Sequence, residues 1–454
     1  MQNFFSEVYK YTDIKNISLS FSKKGINTSL SFSTNASVTT VIKYSSKKFM
    51  TTTVSVPFNR SHFKGKGFDE SFSKENIGST LSNISSIFQV KEVSCSAIFN
   101  ASEKEISKAK RITKRVGNSI SDEKYINLTY NCTSFIAQRG YIMSSLTEEE
   151  ENFPLAFSIS TYTGAEMFER LLRAIYRPQN YYCIQVDRSA SEKFFRAVSS
   201  IVDCFPNVFL ASKRIDVIWG EFTVLETELI CMKDLWQFPK WKYFFTLTGQ
   251  EFPLKTNFEL VKILTAYQGA NDVMTTVKHA NPERWYNTLP PHGLKPVKGS
   301  VHIIVNRDYV GFILQNRISY DLLNWTKKTF IPDETFFAIL NANPQLGIKG
   351  TYKGEPEHSA TRPFLARYKV WEWDPIPCAG KYVRDVCILT TGDLPLLGQA
   401  KEMIANKFFL DWDRVVIGCL EEKIFNNTRD EYLGIKTVNT SYYSNLDFVK
   451  NQVT

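Results

Sequence analysis

The strongest constraint on the fold is an alternation of strand-like and helix-like segments between residues 156 and 247. Short apolar segments with the composition of buried strands are separated by amphipathic segments with helical spacing. The predicted strands are Ala156–Ser160, Tyr181–Val186, Asn207–Ala211 and Trp241–Leu247, and the predicted helices are Gly164–Ile175, Phe194–Phe205 and Val224–Leu235. This spacing is typical of βαβ units, so it predicts an α/β fold with a mostly parallel central sheet flanked by helices.

Length and charge narrow the class of protein further. At roughly 100–200 residues per domain, 454 residues allow two to four domains, or one large α/β domain with additions. The net charge of +9 is concentrated in residues 1–80, where 11 Lys/Arg stand against 5 Asp/Glu, so that only +3 remains for the other 374 residues. The bulk of the chain is nearly neutral, and we expect no nucleic-acid partner.

The first 80 residues differ in composition from the rest of the chain. They contain 24 Ser or Thr and no Cys, which predicts that residues 1–90 form a stem-like or poorly ordered leader. No apolar run of about 18 residues is present, and Met1–Lys10 lacks the pattern of a signal peptide. Eight Cys and eleven Asn-x-Ser/Thr sequons nevertheless favour an oxidising, glycosylating compartment. Either the amino terminus is incomplete, or the chain is not secretory.

Residues 91–150 are predicted to form an N-terminal extension. The segment contains a basic helical stretch, Lys104–Arg115, and an acidic run, Thr147–Glu151. Such charge runs are most simply solvated faces of helices.

The predicted sheet indicates where a nucleotide would bind. Ligands of parallel sheets bind beyond the carboxyl ends of the strands, so the loops after Ser160 and after Val186 are the first candidates. The Walker and dinucleotide glycine fingerprints are absent. The five His are scattered and no HExxH or CxxC occurs, so we do not expect a zinc enzyme.

One acidic motif suggests a divalent metal. Asp411-Trp412-Asp413 matches the Asp-x-Asp with which many sugar-nucleotide transferases hold a metal on a diphosphate. A three-residue match in a chain with 46 acidic residues is expected by chance, and it lies past the βαβ region. We therefore predict no metal site there.

A second acidic motif, Pro332-Asp333-Glu334, has two interpretations. Proline followed by acidic residues is typical of a helix start, where carboxylates are stabilised by the helix dipole. Alternatively, one carboxylate faces a cleft and acts as a general base. The motif alone does not decide between them.

Two cations follow later in the chain. Arg384 and Lys407 flank a segment that also contains Gly392-Asp393-Leu394. Two cations can neutralise a diphosphate without a metal. On spacing alone, two ordinary surface charges are the simpler interpretation.

Several collinear stretches together resemble one enzyme family. The stretches are Glu166–Asp187, Cys231–Leu235, Trp241–Tyr243, Thr248–Thr256, Pro332–Glu334, Gly392–Leu394 and Ala405–Phe408. They are similar to the core-2/I-branching β-1,6-N-acetylglucosaminyltransferases. The resemblance extends from about Cys95 to Glu422 and leaves residues 1–90 uncovered.

The resemblance implies a fold, a reaction and a location. It predicts a GT-A-like glycosyltransferase domain over residues 151–425, followed by a C-terminal tail over 426–454. Family members are type II Golgi membrane proteins with a lumenal catalytic domain. They transfer GlcNAc from UDP-GlcNAc to the 6-hydroxyl of an acceptor glycan or glycoprotein, with inversion and without a metal or other cofactor. A homodimer is also expected.

The resemblance also implies roles for individual residues. Glu334 stands at the position of the catalytic base, and Arg384 and Lys407 stand at those of the cations that hold the UDP diphosphate. The uridine is expected near Ser160, Thr161 and Asp187, and the acceptor near Arg284, Trp371 and Trp373.

The eight cysteines fall on positions where the family has disulfides. Eight Cys allow 105 connectivities, so the pairing is implied by the resemblance alone. It predicts Cys95–Cys419, Cys132–Cys204, Cys183–Cys231 and Cys378–Cys387, with two of these bonds tying the N-terminal extension to the core. A further family cysteine is replaced by Thr248.

The chain departs from the family pattern where the acceptor is expected. Val273 and Asn281 replace a Glu and a Lys that contact the acceptor galactose, and Trp373 replaces a Tyr. Losing polar groups changes which hydroxyls a site recognises. Trp219-Gly220 resembles an element of the peptide xylosyltransferases, so UDP-xylose remains an alternative donor. A catalytically silent, secreted glycan-binding protein is the alternative outside enzymes.

Overall fold

A computed structural model describes residues 39–43, 49–53, 74–113 and 119–454. The chain divides into two compact units, Met1–Phe72 and Ser73–Thr454. In the first unit, strands β1 (Thr39–Lys43) and β2 (Phe49–Thr53) pair antiparallel. The rest of the predicted leader up to residue 73 lies outside the described residues.

The strands of the second unit form one large sheet and two short pairs. They are β3 (Leu155–Thr161), β4 (Tyr181–Val186), β5 (Val208–Leu210), β6 (Tyr243–Thr248), β7 (Glu251–Pro253), β8 (Asp272–Val273), β9 (Ile303–Asn306), β10 (Lys381–Val383), β11 (Val386–Ile388) and β12 (Ile404–Asn406). The six-stranded sheet has the order β5-β4-β3-β6-β9-β8. Its strands β3 to β6 are mutually parallel, and β9 is antiparallel to both neighbours. The predicted mostly parallel sheet is confirmed.

Helices surround this sheet and extend beyond it on the amino-terminal side. They are α1 (Lys74–Ile87), α2 (Cys95–Phe99), α3 (Glu103–Thr113), α4 (Asp122–Leu128), α5 (Cys132–Arg139), α6 (Glu148–Asn152), α7 (Ala165–Ile175), α8 (Glu192–Val202), α9 (Phe222–Trp236), α10 (Asn257–Ala266), α11 (Arg307–Gln315), α12 (Arg317–Thr326), α13 (Phe336–Asn341), α14 (Leu394–Gln399), α15 (Arg414–Tyr432), α16 (Ser441–Ser444) and α17 (Asp447–Lys450). Short 3-10 turns occur at Pro282–Trp285, Pro291–Gly293, Pro332–Glu334, Pro344–Leu346 and Thr391–Asp393.

The central strands separate two hydrophobic cores. Side chains alternate between the faces of a strand, so neighbouring residues of β3 pack on opposite sides of the sheet. Phe157 and Ile159 lie in the core shared with α7 and α8, whereas Ala156 lies in the core shared with α9 and α11. Helices on both faces explain why β3 is apolar nearly throughout.

The acidic run before β3 is only partly a solvated helix face. It forms α6, whose amino terminus is capped by the Thr147 hydroxyl. Glu150 is buried, contrary to prediction, because its carboxylate accepts a 2.7 Å hydrogen bond from Asn257 and lies 3.7 Å from the Arg177 guanidinium. These partners compensate the cost of burying a charge.

The four disulfides are those that the resemblance predicts. Cys183–Cys231 links β4 to α9, and Cys378–Cys387 lies beside the β10–β11 pair. Cys132–Cys204 and Cys95–Cys419 tie the N-terminal extension to the core. The last of these joins residues 324 positions apart and so restricts the unfolded chain strongly.

Both ends of the second unit belong to its packed body. Within the predicted leader, helix α1 packs on α15, where the rings of Phe88 and Phe425 stack with centroids 3.8 Å apart. In the predicted tail, Phe448 packs edge-on against Tyr267 of the main core, at 5.1 Å. The second compact unit therefore begins before residue 91 and continues beyond residue 425. Among the described residues, no helix combines the length and apolar character needed to cross a bilayer.

Candidate active site

The site is built at the edge of the sheet where β3, β4 and β6 end. Strand β7 follows β6 after two residues and pairs with β12, bringing Asn406 opposite Glu251. The next residue is Lys407. Both of its neighbours in the sequence are held in place, Asn406 by its pairing with Glu251 and Phe408 by a 2.8 Å backbone hydrogen bond that it donates to Gln250. The predicted cation Lys407 therefore lies beside the carboxyl end of a central strand, where ligands of such sheets bind.

Arg384 reaches the same region from a tight turn. Strands β10 and β11 are joined by Arg384 and Asp385, whose φ angles are +50° and +62°. Positive φ at both central residues is a feature of hairpin turns in which Gly and Asn are preferred. An arginine in this costly conformation indicates that its side chain, and not its backbone, is needed there.

The two predicted cations lie in one electrostatic environment. Lys407 donates a 2.9 Å hydrogen bond to the carbonyl of Val383, next to Arg384. Burial and the nearby Arg384 charge lower the pKa of the Lys407 ammonium. Within the described part of the chain, neither cation forms an ion pair with a carboxylate. Two neighbouring, unneutralised cations are suited to bind an anion with several charges.

An exposed indole stands beside this pair of cations. The guanidinium carbon of Arg384 lies 5.8 Å from the ring centre of Trp219, whose residue surface is 65% exposed. Gly220 follows with φ +82°, a backbone conformation that favours glycine. The Trp219-Gly220 element therefore lies beside the predicted cation Arg384.

Glu334 is held by its backbone. It ends the 3-10 turn Pro332–Glu334, which has proline at its first position. The carbonyl of Glu334 accepts a 2.6 Å hydrogen bond from the amide of Gly299. A side chain at Gly299 would stand 2.4 Å from the carbonyl oxygen of Met274, so the close approach requires glycine.

The side chains of Glu334 and Asp333 differ in their surroundings. The Glu334 carboxylate is 27% exposed, accepts a 2.8 Å hydrogen bond from Arg284 and lies 3.6 Å from the Lys298 ammonium. Asp333 is buried, and burial together with the Glu334 charge raises its pKa to about 7. Of the two carboxylates in the motif, Glu334 is the one that is accessible to a substrate.

The Arg284 side chain is hydrogen-bonded to the Glu334 carboxylate. Its side chain is 6% exposed, and its backbone carbonyl accepts a 2.7 Å hydrogen bond from Phe330. The guanidinium therefore orients Glu334, and its buried Nε has no partner among the described residues. Lys298, which carries the second positive charge, was missed by the sequence analysis because nothing in its local sequence distinguishes it.

Two further predicted acceptor residues form an aromatic surface. Trp371 and Trp373 stack with ring centres 5.2 Å apart and an interplanar angle of 12°. Trp373 is 69% exposed. Stacked, accessible indoles offer a flat apolar face of the kind that packs against sugar rings.

The predicted uridine residues lie together at the ends of β3 and β4. The backbone amide of Asp187 donates to the carbonyl of Thr161 at 3.0 Å. The Asp187 carboxylate already accepts hydrogen bonds from the amide and hydroxyl of Ser189 and from the amide of Val217. Thr161 has a buried hydroxyl without a partner among the described residues.

Ser160 lies on the interior side of this region. Its hydroxyl donates at 3.3 Å to Glu228 of α9, a buried carboxyl whose pKa burial raises to about 8. This hydrogen bond links the end of β3 to α9. Ser160 lies near the predicted uridine loop at the end of β3.

A buried ion-pair network that the sequence analysis did not single out supports the site. Glu251 accepts hydrogen bonds from Arg367 at 3.0 Å and Asn406 at 2.9 Å, and its carboxylate lies 3.3 Å from His302. Its second oxygen accepts from the amide of Thr248 at 3.0 Å. These contacts fix β12 against the end of β6, directly before Lys407.

Asp413 has a structural role. Its carboxylate caps α15 through the amides of Val415 and Val416, and it accepts from the amide and hydroxyl of Thr391. Asp411 is exposed. No group of three or more His, Cys, Asp or Glu suited to a metal occurs among the residues that the structure describes.

We expect Asp413→Ala to lower the free energy of unfolding by about 1–3 kcal/mol, because one capping group and several buried hydrogen bonds are lost together. Asp411→Ala is the matched control and should leave stability unchanged. Chemical denaturation of both variants checks this. If both variants lost activity equally while their stability stayed unchanged, a metal role for the Asp-x-Asp motif would be supported instead.

Comparison with known proteins places this geometry in a family. Residues 155–397 match the family model of the Core-2/I-Branching enzyme. A human beta-1,3-galactosyl-O-glycosyl-glycoprotein beta-1,6-N-acetylglucosaminyltransferase is 35% identical, with 73% of this chain and 85% of the relative covered. A Danio rerio relative of the same printed activity is 35% identical over 73% of this chain and 84% of its own length. A Bovine herpesvirus 4 relative is 33% identical, covering 77% and 86%.

The parallel sheet, the cation pair at its edge and these similarities define the protein as a glycosyltransferase. The chain belongs to the Core-2/I-Branching enzyme family.

Proposed function

We propose that this enzyme transfers GlcNAc from UDP-GlcNAc to a hydroxyl, the 6-hydroxyl in our proposal, of an acceptor glycan in protein O-glycosylation. The observation that carries the proposal is the pair of unneutralised cations, Arg384 and Lys407, at the strand edge. The human relative is named for β-1,6-N-acetylglucosaminyl transfer to an O-glycosylated glycoprotein, which supports this donor and acceptor.

Glu334 is the general base in this proposal. A sugar hydroxyl is a poor nucleophile at neutral pH, so a carboxylate must accept its proton while the new carbon–oxygen bond forms. Arg284, hydrogen-bonded at 2.8 Å, holds the carboxylate in one orientation. A single displacement at the anomeric carbon inverts its configuration.

The leaving diphosphate is stabilised by the protein's own cations. As the bond from the anomeric carbon to the phosphate oxygen breaks, negative charge grows on UDP. Arg384 and Lys407 would bind this charge through hydrogen bonds that strengthen in the transition state. We therefore propose a metal-independent reaction.

The acceptor differs from that of the core-2 enzymes in this proposal. Val273 is buried and cannot replace a carboxylate at a galactose hydroxyl. The stacked pair Trp371 and Trp373 supplies apolar contact instead. Selectivity would then rest more on ring stacking than on hydrogen bonds.

We also infer a lumenal location in the Golgi. All eight Cys are paired in four disulfides, a pattern of oxidising compartments. Membrane association and a homodimer belong to the same proposal, as they do to the family resemblance.

A donor panel tests the proposed function. The protein is incubated with UDP-GlcNAc, UDP-xylose, UDP-galactose or UDP-glucose, with and without an O-glycan acceptor, and released UDP is measured. We expect turnover with UDP-GlcNAc to be the fastest. Faster turnover with UDP-xylose would favour the xylosyltransferase alternative. That alternative rests on the resemblance of the Trp219-Gly220 element, whose indole is exposed. Glycan binding without turnover of any donor would identify a silent binding protein.

We expect EDTA to leave the rate of transfer unchanged, because fixed cations take the place of a metal at the diphosphate. The assay is repeated after exhaustive chelation, with added Mn²⁺ as the second arm. Strong inhibition that Mn²⁺ reverses would contradict the metal-independent mechanism.

A further inference from the structure

A third cation, Lys369, lies on the segment 367–371. This segment lies between β11 and β12 and forms isolated bridges from Tyr368 to Ala405 and from Trp371 to Val386. On one side its backbone accepts a 2.9 Å hydrogen bond from the amide of Asn406, and on the other side it accepts one of 2.9 Å from the amide of Cys387. Hydrogen bonds to both neighbouring strands hold this segment in place.

The Lys369 side chain lies outside the hydrophobic core beside it. Tyr368 and Val370 lie in the hydrophobic core formed with α15 and β11. Their neighbours Arg367, Lys369 and Trp371 are not members of this core. Trp371 belongs to the proposed acceptor surface, and the Lys369 ammonium lies 5.4 Å from its ring centre.

Lys369 differs from its neighbour in having no polar partner. Arg367, two residues earlier, is buried and pairs with Glu251 at 3.0 Å. The half-buried Lys369 ammonium forms neither a hydrogen bond nor an ion pair within the part of the chain that the structure describes. A partly desolvated charge without a partner is costly, and a bound ligand of opposite charge removes that cost.

The charges that act on Lys369 belong to both functional ends of the site. Burial, Arg367 and Lys407 lower the pKa of the Lys369 ammonium to about 8, against the opposing effects of Glu251 and Glu334. The ammonium is thus within electrostatic reach both of the proposed base and of a diphosphate cation. Asp333 and His302 also experience its charge.

We propose that Lys369 binds the β-phosphate of the donor at the oxygen that leaves the sugar, as a third cation beside Arg384 and Lys407. The inference rests on the proposed function. In an inverting displacement the base, the acceptor oxygen, the anomeric carbon and the leaving oxygen stand nearly in line. A cation between base and diphosphate is therefore next to the bond that breaks.

The step balances without any further reactant. The acceptor hydroxyl gives its proton to Glu334 as its oxygen bonds to the anomeric carbon. The bond from that carbon to the β-phosphate oxygen breaks, and its electron pair stays on UDP. Lys369 donates a hydrogen bond to this oxygen as its charge increases.

Calorimetric titration of the full chain with UDP and with UMP tests the proposal. We expect Lys369→Met to weaken UDP binding about 10-fold or more and to leave UMP binding within about twofold, because only UDP carries the β-phosphate. Lys369→Arg, which keeps the charge, should recover part of the UDP affinity. Lys353→Met, an exposed lysine, is the control.

Thermal unfolding separates this role from a structural one. Removing an unpaired, half-buried charge should maintain or raise the melting temperature of Lys369→Met. Unchanged UDP affinity in this variant, or equal losses for UDP and UMP, would overturn the proposal. A loss of affinity for UDP-GlcNAc without a loss of affinity for UDP would also overturn the proposal, because Lys369 would then contact the sugar. If the wild-type protein binds no UDP, the proposed function itself fails.

Discussion

Glu334→Gln should abolish sugar transfer while UDP binding stays within about twofold of the wild type. The amide keeps the size of the side chain and can still contact Arg284, but it cannot accept the proton of an acceptor hydroxyl. Loss of a general base typically costs about 10²–10⁴-fold in rate. Steady-state transfer measured alongside UDP titration separates the chemical step from donor binding.

The control for this variant lies on the neighbouring 3-10 turn. Glu283 is exposed, and its carboxylate accepts only a 3.3 Å hydrogen bond from Asn281, which Glu283→Gln can retain. We expect that variant to behave as the wild type. Undiminished turnover in Glu334→Gln would remove Glu334 from the mechanism, and parallel loss of UDP binding would point to misfolding.

Replacing the two diphosphate cations should have the second large effect. We expect Arg384→Gly and Lys407→Met each to weaken UDP binding about 10- to 100-fold, as each removes a charge-assisted contact of about 1.5–3 kcal/mol. Arg384 has φ +50°, where glycine is relaxed, so the variant loses the guanidinium without straining the turn. Titration with UDP measures the affinity.

Uridine titration and a distant lysine serve as controls for these variants. Uridine lacks phosphates, so its affinity should be the same in both variants and in the wild type. Lys401→Met removes an exposed lysine six residues before Lys407 and should not alter UDP binding. UDP affinity that survives both Arg384→Gly and Lys407→Met would refute the diphosphate site.

The sequence predicted the central strands well, and the reason is their burial on both faces. The predicted strand Tyr181–Val186 agrees with β4 at both ends, and Ala156–Ser160 is one residue shorter at each end than β3. Continuous apolar runs of this length are distinctive. Strands β8 and β12, of two and three residues, have no such signal and depend on their neighbours for pairing.

The candidate site was predictable only where residues lie in recognisable motifs. Glu334, Arg384 and Lys407 were found through the family resemblance, and the structure adds which carboxylate of the Asp333-Glu334 pair is accessible. Lys298 and Lys369 come from segments with no motif. Their proximity to Glu334 arises from tertiary packing, which the local sequence does not encode.

The carboxyl-terminal residues have a consequence for protein engineering. Val453 and Gly350 share a 2.8 Å backbone hydrogen bond, and Phe448 covers Tyr267. A truncation at residue 425 would therefore remove side chains that pack in the main hydrophobic core and expose Tyr267.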